Sequence, residues 1–269
     1  MSFTAFGAPQ THYQRSYYDG LSIEGWQSVK NYMNGESMYR YNPTYGFDKD
    51  GKMRNSNYNA YHKPQLALAH TWQIDHTQSL STSVYASIAQ GYGLNGYSSD
   101  WYGSSNGVLN TKFRAADGTF DYAAIQDMNA ASATGSNMVM ARQNNNHEWY
   151  GLVSSYKKKI RFSNEDVLSI IGGLDLRYYI GHHINKICDL YDGAYYLDDS
   201  NRKNIKPVNS NLANNQEYIY QKLGVGDVIA RNYNGYTAQE GVYGQGEYSM
   251  LSGKLNFVLS GALNNNTYW

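Results

Sequence analysis

Proline and cysteine are nearly missing from this chain: 4 prolines and one cysteine, Cys188, in 269 residues. A lone thiol excludes an internal disulfide and any zinc site built from cysteines. No apolar run approaches the ~20 residues that a membrane-crossing helix requires. The opening residues from Met1 to Gly7 lack the charged and long apolar regions of a signal peptide. Charge of either sign is also in no excess, with 22 basic against 22 acidic residues, so the basic footprint of a nucleic-acid binder is absent. Neither a nucleophile elbow nor a phosphate loop occurs, and Gly224-Val225-Gly226 stops short of a dinucleotide fingerprint. No positioned pair of acid and base is visible. The expectation is a protein that is not an enzyme and holds no cofactor.

What is abundant is tyrosine (28 residues) and glycine (26 residues). A side chain with an apolar body and a polar tip suits a boundary between wet and dry regions.

Strict alternation marks strands with two unlike faces. Over 80–88, Leu80, Thr82, Val84, Ala86 and Ile88 share one face, opposite Ser81, Ser83, Tyr85 and Ser87. Over 167–180, Leu168, Ile170, Leu174, Leu176, Tyr178 and Ile180 oppose Ser169, Asp175 and Arg177. Over 254–264, Leu255, Phe257, Leu259 and Leu263 oppose Asn256 and Ser260. Each has a partner across a short connection: 66–74 before a turn at 75–78, 150–156 before a basic turn at 157–161, and 242–248 before 250–253. These read as hairpins of strands about 10 to 15 residues long, a length that suits tilted strands crossing a bilayer. Long polar stretches at 10–62, 91–146 and 181–235 separate them. Direction reverses at every connection, so the short turns fall at one end and the long loops at the other, the asymmetry of outer-membrane barrels.

The loops carry signals of their own. Ile23, Trp26, Val29 and Tyr32 recur every three residues, as do Tyr122, Ile125 and Met128, and both sets predict short helices. Asp50-Gly51 and Asp117-Gly118 are turn dipeptides of small hairpins.

Two phrases resemble a known family. Ser2-Phe3-Thr4-Ala5-Phe6-Gly7-Ala8-Pro9-Gln10 resembles the end of a barrel strand in TonB-dependent receptors of the Bacteroidetes type. So does Tyr61-His62-Lys63-Pro64-Gln65 leading into 66–74 and Leu80-Ser81-Thr82-Ser83-Val84-Tyr85-Ala86-Ser87. The rhythm of strand, turn, strand and long loop extends the resemblance over the chain. It implies an all-β fold: an antiparallel transmembrane β-barrel of 22 strands in the outer membrane, with long extracellular loops containing short helices and a plug domain inside. Such receptors import iron–siderophore complexes, cobalamin or oligosaccharides with energy relayed by TonB. The implied partners are outer-membrane lipid, the plug domain and through it TonB, and an extracellular nutrient. About seven strands are counted here, so residues 1–269 are expected to form part of the barrel domain, without plug, signal peptide or closing strands. The run from Asn264 to Trp269 reads as the start of a loop. The alternative is a secreted or surface β-sandwich that binds glycans, with strands of five to seven residues and loops at both ends.

Candidate substrate-binding residues are the loop aromatics Trp26, Trp101, Tyr102, Tyr195 and Tyr196, flat groups able to stack on a sugar or a planar ring, although packing inside folded loops is their commoner fate. Asp175 and Arg177, two apart on a polar face, are expected to face the lumen and to pair with each other or with the plug. Trp72, Trp149, Tyr150 and Tyr178 fit an aromatic girdle at the membrane interface. Asp48, Asp50 and Gly51 resemble the first half of a calcium loop but lack its later ligands, which favours a plain turn. His182 and His183 are adjacent, so on a strand they point to opposite faces and cannot share a metal.

Overall fold

The computed structural model describes residues 1–15, 20–101, 104–205 and 214–269. In chain order its strands begin with β1 (Ser2–Phe6), β2 (Gln10–Tyr13), β3 (Tyr45–Phe47), β4 (Met53–Asn55), β5 (Tyr58–His62), β6 (Gln65–Gln73) and β7 (Gln78–Tyr97). They continue with β8 (Ser104–Ser105), β9 (Val108–Leu109), β10 (Phe120–Asp121), β11 (Val139–Arg161), β12 (Val167–Asp189), β13 (Val228–Met250) and β14 (Leu255–Tyr268). Helix α1 spans Ile23–Ser28 and α2 spans Tyr122–Ala130, where the three-residue spacing predicts them.

One antiparallel sheet dominates, in the order β1-β6-β7-β11-β12-β13-β14, with β2 and β5 attached at one corner. The corner follows from two prolines. Ser2 pairs with Ala69 and Gln10 with Tyr61 in an unbroken register, so β1 and β2 are one lane interrupted at Pro9. Leu66 pairs with Ala86 and Asn59 with Gly93 likewise, so β5 and β6 are one lane interrupted at Pro64. Proline has no N–H to give to a ladder, and such residues settle at edges and interruptions. Counted as lanes, the sheet has the seven strands expected, each beside its neighbour in the chain. Short turns at 74–77, 162–166 and 251–254 lie at one end, and the long connections at the other.

Several expectations need correction. The long strands run 20 residues in β7 and 23 in each of β11, β12 and β13, well beyond 10–15. Past the alternating segments both faces turn polar, as at Asn144, Asn145 and Asn146, so alternation fades while backbone pairing continues. The basic stretch Lys157, Lys158, Lys159 and Arg161 lies inside β11, and the turn falls after it. The residues from Asn264 belong to β14, where Asn264 pairs with Gly241 and Tyr268 with Thr237. The sheet is open: among the described residues β14 and the β1–β2 lane each pair on one side only.

The long connections build a cap against the far ends of the strands. β3 and β4 form a hairpin around Asp50-Gly51, with β10 parallel to β3. Asp48 closes the hairpin, accepting from the amides of Asp50 (3.1 Å) and Lys52 (2.9 Å) and from Arg54 Nε (2.8 Å). That is a turn, as the sequence favours. The cap has its own core of Trp101, Phe120, Tyr122, Ile125, Met138, Met140 and Tyr191. Burial raises the phenols of Tyr122 and Tyr191, and that of Tyr41 to about 12. Tyr41 and Tyr122 donate to the carbonyls of Gly118 and Thr44.

Candidate functional site

The sheet's two faces differ in chemistry. On one rung of directly opposed residues stand Phe3, Leu68, Val84, Leu152 and Leu176. The adjacent rung, facing the other way, holds Thr4, Ala67, Tyr85, Gly151, Arg177 and Gln239. The apolar face is uncovered: Leu259 is 81% and Leu263 76% exposed. A shallow hollow of about 660 Å³ on it is lined by Phe3, Leu66, Leu68, Val84, Leu176 and Tyr178.

The apolar band crosses the rungs obliquely. On β7 it runs from Leu80 to Ile88, and on β14 from Leu255 to Leu263. Leu263 shares its rung with Val242, Leu174, Ser154 and Thr82, and Thr82 lies six residues below Ile88. At the lower edge Leu259 shares its rung with Gly246, Ile170, Lys158 and Gln78. Leu255 is four residues further down than Leu259, and Leu80 is two above Gln78, so this edge also drops by six. The slant accounts for Glu240 and Asn265, which lie on the rung of Val84 and Leu176 but just above the band on their own strands. A drop of six residues at ~3.3 Å across four steps of ~4.8 Å corresponds to strands inclined by about 45° to the band's normal.

Aromatic residues border the band. Tyr150 and Tyr178 oppose each other near its upper edge, and Trp269 stacks on Tyr236 at 5.7 Å. Trp72 opposes Leu80 at the lower edge. Trp149 does not join them: it pairs with Ser87 and Tyr179 on the polar face and meets Tyr85 edge-on at 6.1 Å.

The residues singled out in the sequence do not converge. Trp101 is 5% exposed and packs against Phe120, Tyr122 and Tyr191, so it is a core residue and presents no platform. Trp26 is half-buried between Tyr39 (5.6 Å) and the Arg15 guanidinium (5.4 Å). Tyr195 is half-buried with Lys222 over its ring at 4.5 Å, and Tyr196 packs on the cluster of Ala141, Ile187, Leu223 and Ile229. Tyr102 lies outside the described residues. Asp175 and Arg177 bond to each other in fork geometry, Nη2 to Oδ2 at 2.7 Å and Nε to Oδ1 at 3.1 Å, on the polar face. His182 meets Asn234 and Glu148, while His183, facing the other way, meets Asn145.

One arrangement was not legible in the sequence. A cleft of about 270 Å³ between the cap hairpin and the upper apolar face is lined by Tyr13, Tyr58, Tyr92, Lys52, Arg54 and Arg142 among others. Tyr13 and Tyr58 pair across the β2–β5 ladder with ring centroids 5.0 Å apart, and Tyr92 follows Tyr58 at 5.8 Å. Arg142 lies 4.7 Å over the Tyr92 ring. Residues so far apart in sequence are united only by register.

No family model, curated protein or solved structure matches this chain. The fold defines the class of an antiparallel all-β protein built on one large two-faced sheet.

Proposed function

We propose that this chain forms part of the wall of an outer-membrane β-barrel that serves uptake of a large scarce nutrient, of the TonB-dependent kind. The observation that carries the membrane reading is the oblique apolar band. Strands of transmembrane barrels tilt by ≈ 35–45°, and a level band must then drop along each successive strand. The drop corresponds to about that angle. Along β7, from Leu80 to Ile88, and along β14, from Leu255 to Leu263, the band covers roughly 26 Å, about 19 Å along the normal at this tilt. Along β12, from Leu168 to Ile180, it covers about 28 Å along the normal, and the ≈ 25 Å apolar height of such barrels lies between these values. Aromatic residues at both edges and long connections at one end agree with it.

The transport reading rests on the resemblance of 2–10 and 61–87 to TonB-dependent receptors, with the plug and TonB as partners. The opposite face, with Arg177, Asp175, Gln239 and Ser83, would line the lumen. The glycan-binding sandwich fits less well, because its apolar face needs a second sheet and its strands of five to seven residues are far shorter than the 23 of β11, β12 and β13.

Spin labels on a Cys188→Ser background test the membrane reading, with the chain folded into lipid vesicles. Labels at Val84, Leu176 and Leu259 are expected to collide with dissolved oxygen, and labels at Ser83, Asp175 and Ser260 with a water-soluble nickel complex. The depth maximum should fall six residues between β7 and β14. Equal exposure of both faces to the nickel complex would sink the reading.

A further inference from the structure

We propose that the cleft of Tyr13, Tyr58, Tyr92 and Arg142 is a binding site for the anionic sugar headgroup of a glycolipid in the adjoining leaflet. This rests on the membrane reading above and adds a ligand class and a place.

Position is the first argument. Arg142 pairs with Leu94 on one side and Lys186 on the other. Leu94 is six residues beyond Ile88 on the same face, roughly 20 Å along the strand and about 14 Å along the normal at the inferred tilt. That is outside the hydrocarbon and past the about 5–7 Å that a phospholipid headgroup adds on each side, at the height of a larger sugar headgroup standing above it. The face is the one turned to lipid, so a solute passing through the lumen would not meet the cleft.

Chemistry is the second. Arg54 is satisfied by Asp48 at 2.8 Å and Asp189 at 3.3 Å. Arg142, Lys186 and Lys52 are exposed and have no carboxylate partner among the described residues. Two of these three cations line the cleft, and Lys186 stands beside Arg142 on its rung. Guanidinium and ammonium groups near a tyrosine cluster offer charge for phosphate or carboxylate, ring faces for sugar and phenols for its hydroxyls. The nearest acid on this face below the cleft, Glu148, is engaged by Tyr150 at 2.8 Å and His182 at 3.3 Å.

The test is titration calorimetry on the full chain folded in zwitterionic detergent micelles. The probes are a diphosphorylated diglucosamine lipid, a neutral digalactosyl lipid, phosphatidylglycerol and a soluble hexuronate. The phosphorylated glycolipid is expected to bind at least about tenfold more tightly than each of the others, with affinity falling as salt rises. Arg142→Gln with Lys186→Gln, both exposed changes checked by circular dichroism, should remove that preference. Tyr58→Leu should weaken the glycolipid more than phosphatidylglycerol. Phosphatidylglycerol binding equally well would reduce the site to bare charge, and equal binding by the hexuronate would remove the lipid; either overturns the proposal, as does a double variant that binds like the parent. If the labels at Val84 and Leu176 reach lipid and the titration is flat, the glycolipid inference alone fails. If the labels stay in water, the membrane reading fails first.

Discussion

The ring of Tyr85 lies across Gly151 of the neighbouring strand, so close that a Cβ placed on Gly151 would stand 2.0 Å from Tyr85 Cζ. Tyr243 covers Gly173 in the same way on the same face, and in the cap Trp101 covers Gly96 and Tyr32 covers Gly118. The abundance of tyrosine and glycine is thus partly one feature: rings laid flat on bare backbone, which recover packing that glycine alone would lose. Gly151→Ala must push the Tyr85 ring away and is expected to cost about 1–3 kcal/mol, as overpacking does. Gly261, with nothing within 4 Å of its would-be Cβ, should accept alanine with no loss, since strand glycine is itself unfavourable. Urea unfolding midpoints of the two variants in micelles check this. Equal destabilisation would contradict the ring-on-glycine account.

Cys188 lines the tyrosine cleft, its thiol donating to the Met140 carbonyl at 3.4 Å. Burial raises its pKa to about 11, against a smaller opposing pull from Arg142. The thiolate is the reactive form. At pH 8 the thiol is therefore expected to react with a disulfide reagent about two orders of magnitude more slowly than a free cysteine. Denaturant should restore the ordinary rate. Full reaction of the folded chain within the time taken by free cysteine would show that the cleft floor is open.

How much of this was legible beforehand depends on the residues concerned. The alternation of Leu80 to Ile88 and of Leu168 to Ile180 fixed the lanes and their faces, because a buried or lipid-facing side imposes a period of two. It could not show where β11 and β12 end, since Asn145 faces His183 and Asn146 faces His182 with no apolar side to alternate. Nor could it show the slant, which needs the register between Thr82 and Leu263. The loop position of Trp101 leaves both a ligand platform and packing inside the loops open, and its burial against Phe120 and Tyr122 is a tertiary fact. Tyr13, Tyr58 and Arg142 meet only because Pro9 and Pro64 interrupt two lanes without shifting their registers.

Asp48 gives the cap a pH dependence of known sign. Burial alone would raise its pKa, but the Arg54 guanidinium and the amides of Lys52 and Asp50 together hold it below the usual value. A carboxylate depressed in the folded state stabilises above its unfolded pKa of ~3.9, and that contribution is lost as pH falls through the folded value. Asp48→Asn should weaken the cap at pH 7 and show a shallower further loss below about pH 4 than the parent. Amide exchange of the hairpin across that range measures it. Parallel profiles for the two proteins would remove Asp48 from the account.

Trp101 offers the sharpest choice between a ligand platform and a core residue. Its indole is surrounded by Phe120 (6.0 Å), Tyr122 (6.0 Å) and Tyr191 (5.2 Å), and its Nε1 is buried without a hydrogen-bond partner among the described residues. Trp101→Ala should therefore cost roughly 3–5 kcal/mol, the range for emptying a large aromatic site. Trp101→Phe loses ring volume but also removes an unsatisfied donor, two effects of opposite sign, and is expected to retain most of the stability. A platform residue would behave otherwise, since truncating an exposed ring changes affinity and leaves the unfolding midpoint nearly still. Thermal melting of the two variants decides between these. An alanine variant as stable as the parent would return Trp101 to the surface and undo the core built around it.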